Sequence, residues 1–174
     1  MKKEVVINII WSNILSAWIF IFISVASILF QESINSNVFL NVSWLRIVYI
    51  FAIIVLHEYL HSLGFRYFAK APKKNIKIGF NKKYLVPYCS CNDFEMDKMG
   101  YLYSIFLPNI VLSLSVLMLV ILSKNLFWSI FLGFVVSAGA GDYYMAYLVS
   151  KYDESTKFID HPTKPGFFVI TREN

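Results

Sequence analysis

The sequence predicts an all-α membrane protein, with four transmembrane helices and a short β-hairpin-like cytosolic loop in a single domain of 174 residues. Three observations carry that prediction. Hydrophobic residues make up 57% of the chain and charged ones only 16%, too apolar for an ordinary soluble domain. The apolar residues come in long blocks, each able to cross a bilayer at about 1.5 Å per residue. Lysines and arginines collect between and after those blocks, where they set topology and meet anionic headgroups. In a soluble chain the net charge of +5 would suggest nucleic acid; here the partner it suggests is the lipid bilayer, and no nucleic-acid binding is expected.

The first span covers about 5–30, behind Met1-Lys2-Lys3. It is expected to stay in the mature protein, because a cleaved signal peptide has a shorter apolar core and the small-residue candidate Val25-Ala26-Ser27 lies inside the run. Residues 31–41 form a short polar loop. The second span, about 44–65, is bracketed by Trp44 and Arg46 at one interface and by Arg66, Tyr67 and Lys70 at the other. Gly64 near its end marks close helix packing.

The cytosolic loop 66–98 is the longest hydrophilic stretch. Ile76-Lys77-Ile78-Gly79-Phe80 alternates apolar and polar residues, and Asn81-Lys82-Lys83 can turn the chain into Tyr84-Leu85-Val86-Pro87-Tyr88, a weak hairpin signal. An exposed edge there could take an extended substrate by strand addition, which makes Ile78 and Phe80 candidate substrate contacts; a surface loop anchored by tyrosines and lysines is the alternative. Cys89 and Cys91 are too close for an easy mutual disulfide and read as free thiols facing a reducing compartment, with an auxiliary metal or redox role as the rival.

The third span, about 101–122, carries Pro108-Asn109 near its start. Proline frees a backbone carbonyl by withholding an amide partner, and Asn109 brings an amide group to membrane depth, as a substrate contact or as part of a packing kink. After the tight loop 123–125, the fourth span, about 126–150, is interrupted by Ser137-Ala138-Gly139-Ala140-Gly141-Asp142. The tail 151–174 is polar and carries Asp160-His161-Pro162.

The chemistry concentrates at His57-Glu58-Tyr59-Leu60-His61 in the second span. On a helix, histidines four apart share a face and can both offer an imidazole nitrogen to one tetrahedral metal, normally Zn2+. Glu58 projects beside them, where a carboxylate can take a proton from water and pass it to a leaving amine. A charge in so apolar a helix costs about 2.5–3.5 kcal/mol on insertion scales unless it is paired or functional. That cost disfavours a purely structural cluster.

Two imidazoles leave a zinc one protein ligand short of a catalytic site. Asp142, the one carboxylate of the fourth span, is the expected third ligand, with a carboxylate that orients a histidine as the alternative. His161 would serve only if the tail folds back, and a surface histidine beside a turn proline is the commoner outcome. Basic residues crowd the 66–98 loop and also occur at the N-terminus and in the tail, so the positive-inside rule places both termini and that loop in the cytoplasm. Spans two and four then both run inward, with His57 roughly 20 Å beyond Trp44 and Asp142 roughly 24 Å beyond Leu126. The two side chains are thus expected at similar depth in the bilayer.

With these residues assembled, the chain resembles the intramembrane zinc proteases of the site-2 protease type. More closely, it resembles a small bacterial family described as putative zincin peptidases. The features shared with that family are HExxH, the Pro-x-Cys-x-Cys of Pro87, Cys89 and Cys91, Gly141-Asp142, and the terminal run from Asp160 to Phe167. The resemblance covers most of the chain from about Leu56 and implies His57, His61 and Asp142 as zinc ligands, Glu58 as catalytic base, a peptide or membrane-protein substrate and a bacterial cell membrane. Two features depart from the site-2 pattern: Pro108 and Asn109 are adjacent, and the usual Asp-Gly order is reversed. The expected function is peptide hydrolysis near the cytosolic half of the bilayer; the alternative is a non-proteolytic membrane zinc-binding or regulatory protein.

Overall fold

Long helices built from the apolar blocks dominate the fold. The computed structural model describes residues 2–35, 37–81, 86–162 and 164–171. Strand β1 (Lys2–Val6) precedes helices α1 (Ile9–Ile34) and α2 (Trp44–Tyr67); β2 (Ile76–Asn81), β3 (Val86–Cys91) and β4 (Met96–Asp97) fill the polar loop; then come α3 (Lys98–Leu122), α4 (Phe127–Ala138), α5 (Ala140–Ser150), β5 (Lys157–Asp160) and β6 (Gly166–Ile170). Among the described residues α1, α2 and α3 are long and apolar enough to cross a membrane. Trp18 and Phe22 of α1 are about 70% exposed, a surface that lipid solvates and water does not.

Three expectations need correction. The chain is mostly helical rather than all-helical, because β1-β6-β5-β4 form an antiparallel sheet and β2-β3 a second, two-stranded one. The first span accordingly begins at Ile9, since residues from Lys2 to Val6 pair with Gly166–Ile170. The expected fourth span is two helices, of 12 and 11 residues, that meet at Gly139. Glycine without a side chain to pack ends α4 there, and the Asn109 amide lies where a Cβ of residue 139 would have to go. Strands β2 and β3 pair as the predicted hairpin would, Ile78 opposite Cys89 and Phe80 opposite Pro87; the turn through Lys82 and Lys83 lies outside the described residues.

The chain divides into two compact units: Met1–Asn8, Ile54–Pro108 and Gly141–Asn174 form one, and Ile9–Ile53 with Asn109–Ala140 the other. In the second unit α1 packs along α4, with Gly133 admitting the backbone of Phe20 and the side chain of Ser24. Gln31 is fully buried there and donates from Nε2 to the carbonyls of Val120 (3.1 Å) and Ser123 (2.6 Å), while its Oε1 accepts from the Ser129 hydroxyl at 2.8 Å. Each polar atom of this amide thus has a partner, which its burial requires. The loop before α2 is stitched to the loop after α3: Phe39 donates to the Lys124 carbonyl, Leu126 to that of Phe39, and the Asn125 side chain to that of Asn41.

The core of the first unit is aromatic. Tyr101, fully buried, stacks on Phe158 at 5.8 Å and on Phe65 at 6.3 Å and meets Phe167 edge-on, so α2, α3 and the β5-β6 hairpin converge on one ring. Asp97 caps α3 by accepting from the Gly100 amide at 3.1 Å. Helix α2 ends where Lys70 turns left-handed (φ 58°), two residues before Pro72.

Candidate metal centre

His57 and His61 lie one turn apart on α2, and their Nε2 atoms are 3.2 Å from each other. Asp142, in the first turn of α5, brings Oδ2 to 3.3 Å from His57 Nε2 and 3.5 Å from His61 Nε2. Among the described residues, these are the three metal-capable side chains whose ligand atoms cluster. Zinc bonds of about 2.0–2.1 Å set tetrahedral ligands about 3.3 Å apart, so the three observed edges match one face of such a polyhedron. The side chains are 10–15% exposed, nearly but not fully sealed. The α5 N-terminus also favours a carboxylate at residue 142 over a neutral group.

The tautomer of His61 follows from its other nitrogen. Nδ1 lies 3.0 Å from the backbone carbonyl of Ser104 on α3. A carbonyl only accepts, so Nδ1 carries a hydrogen, and Nε2 is the nitrogen that faces Asp142 and His57. Gly64 makes that approach possible, because a Cβ there would stand 2.6 Å from Ser104 Cα. This is the close packing expected of Gly64, now with a consequence for a ligand.

Glu58 projects from the same helix turn and faces the backbone amide of Cys89 on β3. Two residues on, the Cys91 amide donates to Asp160 Oδ2 at 3.1 Å, and the Tyr101 hydroxyl donates to Asp160 Oδ1 at 2.9 Å. Amides two apart on one strand point the same way, so the edge of β3 away from β2 faces Glu58 and is bonded to Asp160. Pro87, next in that series, has no amide to offer. Burial raises Asp160 to about 6 despite its two donors, and pushes the Cys91 thiol up to about 12 and Cys89 higher still. Both cysteines are free, as expected, and stay protonated at neutral pH.

The other candidates lie elsewhere. Ile78 and Phe80 are on β2, more than half exposed and one strand further from Glu58 than Cys89 is. Asn109 is buried against Gly139 in the second unit. His161 stacks on Phe168 and sits 3.1 Å from Glu4 Oε1, where Lys164 also reaches the same carboxylate at 2.8 Å. Lys164 holds Glu4 below its ordinary pKa, with His161 adding to the effect. The Ser104 carbonyl, the Cys89 amide and the Asp160-Tyr101 pair were not singled out from sequence; two are main-chain groups, for which residue identity carries no direct sign.

Comparison with curated proteins and with solved structures gives no match. Residues 50–157, more than half of the chain and including His57, Glu58, His61 and Asp142, match the profile of the family described as Putative zincin peptidase. The protein belongs to that Putative zincin peptidase family.

Proposed function

We propose that this chain is an integral-membrane zinc metallopeptidase, with His57, His61 and Asp142 as zinc ligands and Glu58 as the general base. The observation that carries the reading is the match between the three ligand separations of 3.2, 3.3 and 3.5 Å and the edges of a zinc tetrahedron, with a carboxylate on the adjoining residue. Zinc held there would supply a Lewis acid for the peptide carbonyl and lower the pKa of a water.

The chain's own residues do the rest. Nδ1–H of His61 donates to Ser104 and leaves Nε2 free to ligate. Glu58, facing the Cys89 amide, accepts a proton as water oxygen adds to the carbonyl carbon, and returns it to the departing amine nitrogen as the C–N bond breaks. The substrate is a peptide or membrane protein entering from the bilayer, and the site works in the cytosolic half. Ile78 and Phe80 touch the substrate beside the scissile bond rather than at it, since β3 separates them from Glu58.

Glu58→Gln tests the mechanism. One zinc per chain is expected to remain while cleavage of a peptide library, read by mass spectrometry, falls by at least about 100-fold. Undiminished cleavage removes the reading. Zinc content tests the ligand set in the same preparations: His57→Ala and Asp142→Ala lose the ion, and His161→Ala keeps it.

A further inference from the structure

An α-helical carbonyl is normally consumed by the amide four residues later. For Ser104 that residue is Pro108, the proline inside α3, which has no N–H. The Ser104 carbonyl is therefore left without its helical donor at a residue that is fully buried, where an unsatisfied acceptor costs about 1–3 kcal/mol. His61 Nδ1 stands 3.0 Å away and supplies the missing donor. The Ser104 hydroxyl does not compete, because it donates back to Gly100 at 2.7 Å. All four groups belong to one compact unit.

We infer that Pro108 is a positioning residue for the metal centre: by withholding an amide it reserves the Ser104 carbonyl for His61, and so fixes the Nδ1–H tautomer that turns Nε2 toward the ligand cluster. The inference rests on the reading of His61 as a zinc ligand, but the Nδ1–H bond to Ser104 is present in the metal-free chain as well. An N–H at position 108 would give the carbonyl a local donor and leave the imidazole free to swap tautomers or rotate.

The test separates the missing donor from the ring. In Pro108→Ala the amide returns. With lactic acid at 108, introduced by nonsense suppression as an ester link, ring and amide are both absent. Full-length protein in lipid nanodiscs is titrated with zinc against a fluorescent chelator, and solvent exchange of the His61 Nδ1 proton is read without metal. Pro108→Ala is expected to bind zinc about 10- to 100-fold more weakly and to exchange the His61 Nδ1 proton faster; the lactate form is expected to match wild type in both. A hydroxy acid at Ile105 approaches the same carbonyl without touching Pro108. It makes the Ser104 carbonyl a weaker-accepting ester and is expected to shift both readouts as alanine does. Equal loss in the alanine and lactate forms, or wild-type behaviour of the alanine and Ile105 forms, overturns the inference. A wild-type chain that binds no zinc removes the peptidase reading instead, while exchange of the His61 Nδ1 proton still decides the relay.

Discussion

Gly64 and Gly141 sit three residues after His61 and one before Asp142, but their surroundings differ. A Cβ at 64 would lie 2.6 Å from Ser104 Cα and 3.0 Å from its carbonyl oxygen, and main chain of a packed helix cannot step aside. Gly64→Ala is therefore expected to cost about 1–3 kcal/mol in unfolding free energy. It also weakens zinc binding, because the carbonyl that must move is the one holding His61. A Cβ at 141 meets nothing within 4 Å, and the residue lies inside α5. Gly141→Ala should therefore leave zinc binding intact and raise stability by up to about 1 kcal/mol, the ordinary gain of alanine over glycine in a helix. Denaturant titration with chelator competition checks both. A destabilised Gly141→Ala with intact Gly64→Ala would reverse the assignment of which glycine the site depends on.

At the scale of elements, the strand β3 is fixed to the rest of its unit by Asp160, which accepts from Cys91 and Tyr101. Burial raises that carboxyl from 3.8 to about 6, so between those values the folded chain holds a proton that the unfolded chain has released. Stability from this group is complete below pH 4 and is lost as pH rises through 6, a fall of about 3 kcal/mol. Measured with chelator present, wild type is expected to lose that amount relative to Asp160→Asn between pH 4 and 7; parallel curves would contradict it. What sequence reveals at this scale follows from how local each signal is. The bilayer demands about 20 apolar residues at a stretch, so α1, α2 and α3 were visible. Histidines four apart declare a helix face, and the cost of charge in lipid singled out Asp142. By contrast β1 has five residues and finds its partner at Gly166–Ile170, near the other end of the chain, a pairing with no local periodicity to announce it. The break at Gly139 was visible as a run of small residues, but not its division of one span into two short helices. Pro108 announces that a carbonyl of its helix is freed, but not that Ser104 holds it or that His61 meets it, because which helix faces α3 is a matter of packing.

For the whole molecule, strand pairing and loop pairing together constrain the number of membrane crossings. Residues hydrogen-bonded in one sheet lie on one side of a bilayer, since backbone polar groups of open strands are not satisfied in lipid. The β1-β6-β5-β4 order therefore puts the chain before α1, the chain before α3 and the chain after α5 on the same side. The bonds from Phe39 to Lys124 and from Leu126 to Phe39 put the chain after α1 and the chain after α3 on one side too. If α1, α2 and α3 each cross, α4 and α5 must together carry the chain back, although neither is long enough alone. Four crossings are then predicted, and the basic residues of the 66–98 loop predict a cytoplasmic sheet side. In a Cys89→Ser, Cys91→Ser background, Lys124→Cys should react with an impermeant maleimide in intact bacterial cells, whereas Lys3→Cys and Thr171→Cys should react only after the membrane is opened. Labelling of Lys3 and Thr171 positions from opposite sides would be incompatible with β1 pairing to β6. Labelling of both from outside would keep the sheet, invert the topology, and place the ligand cluster in the outer half of the bilayer.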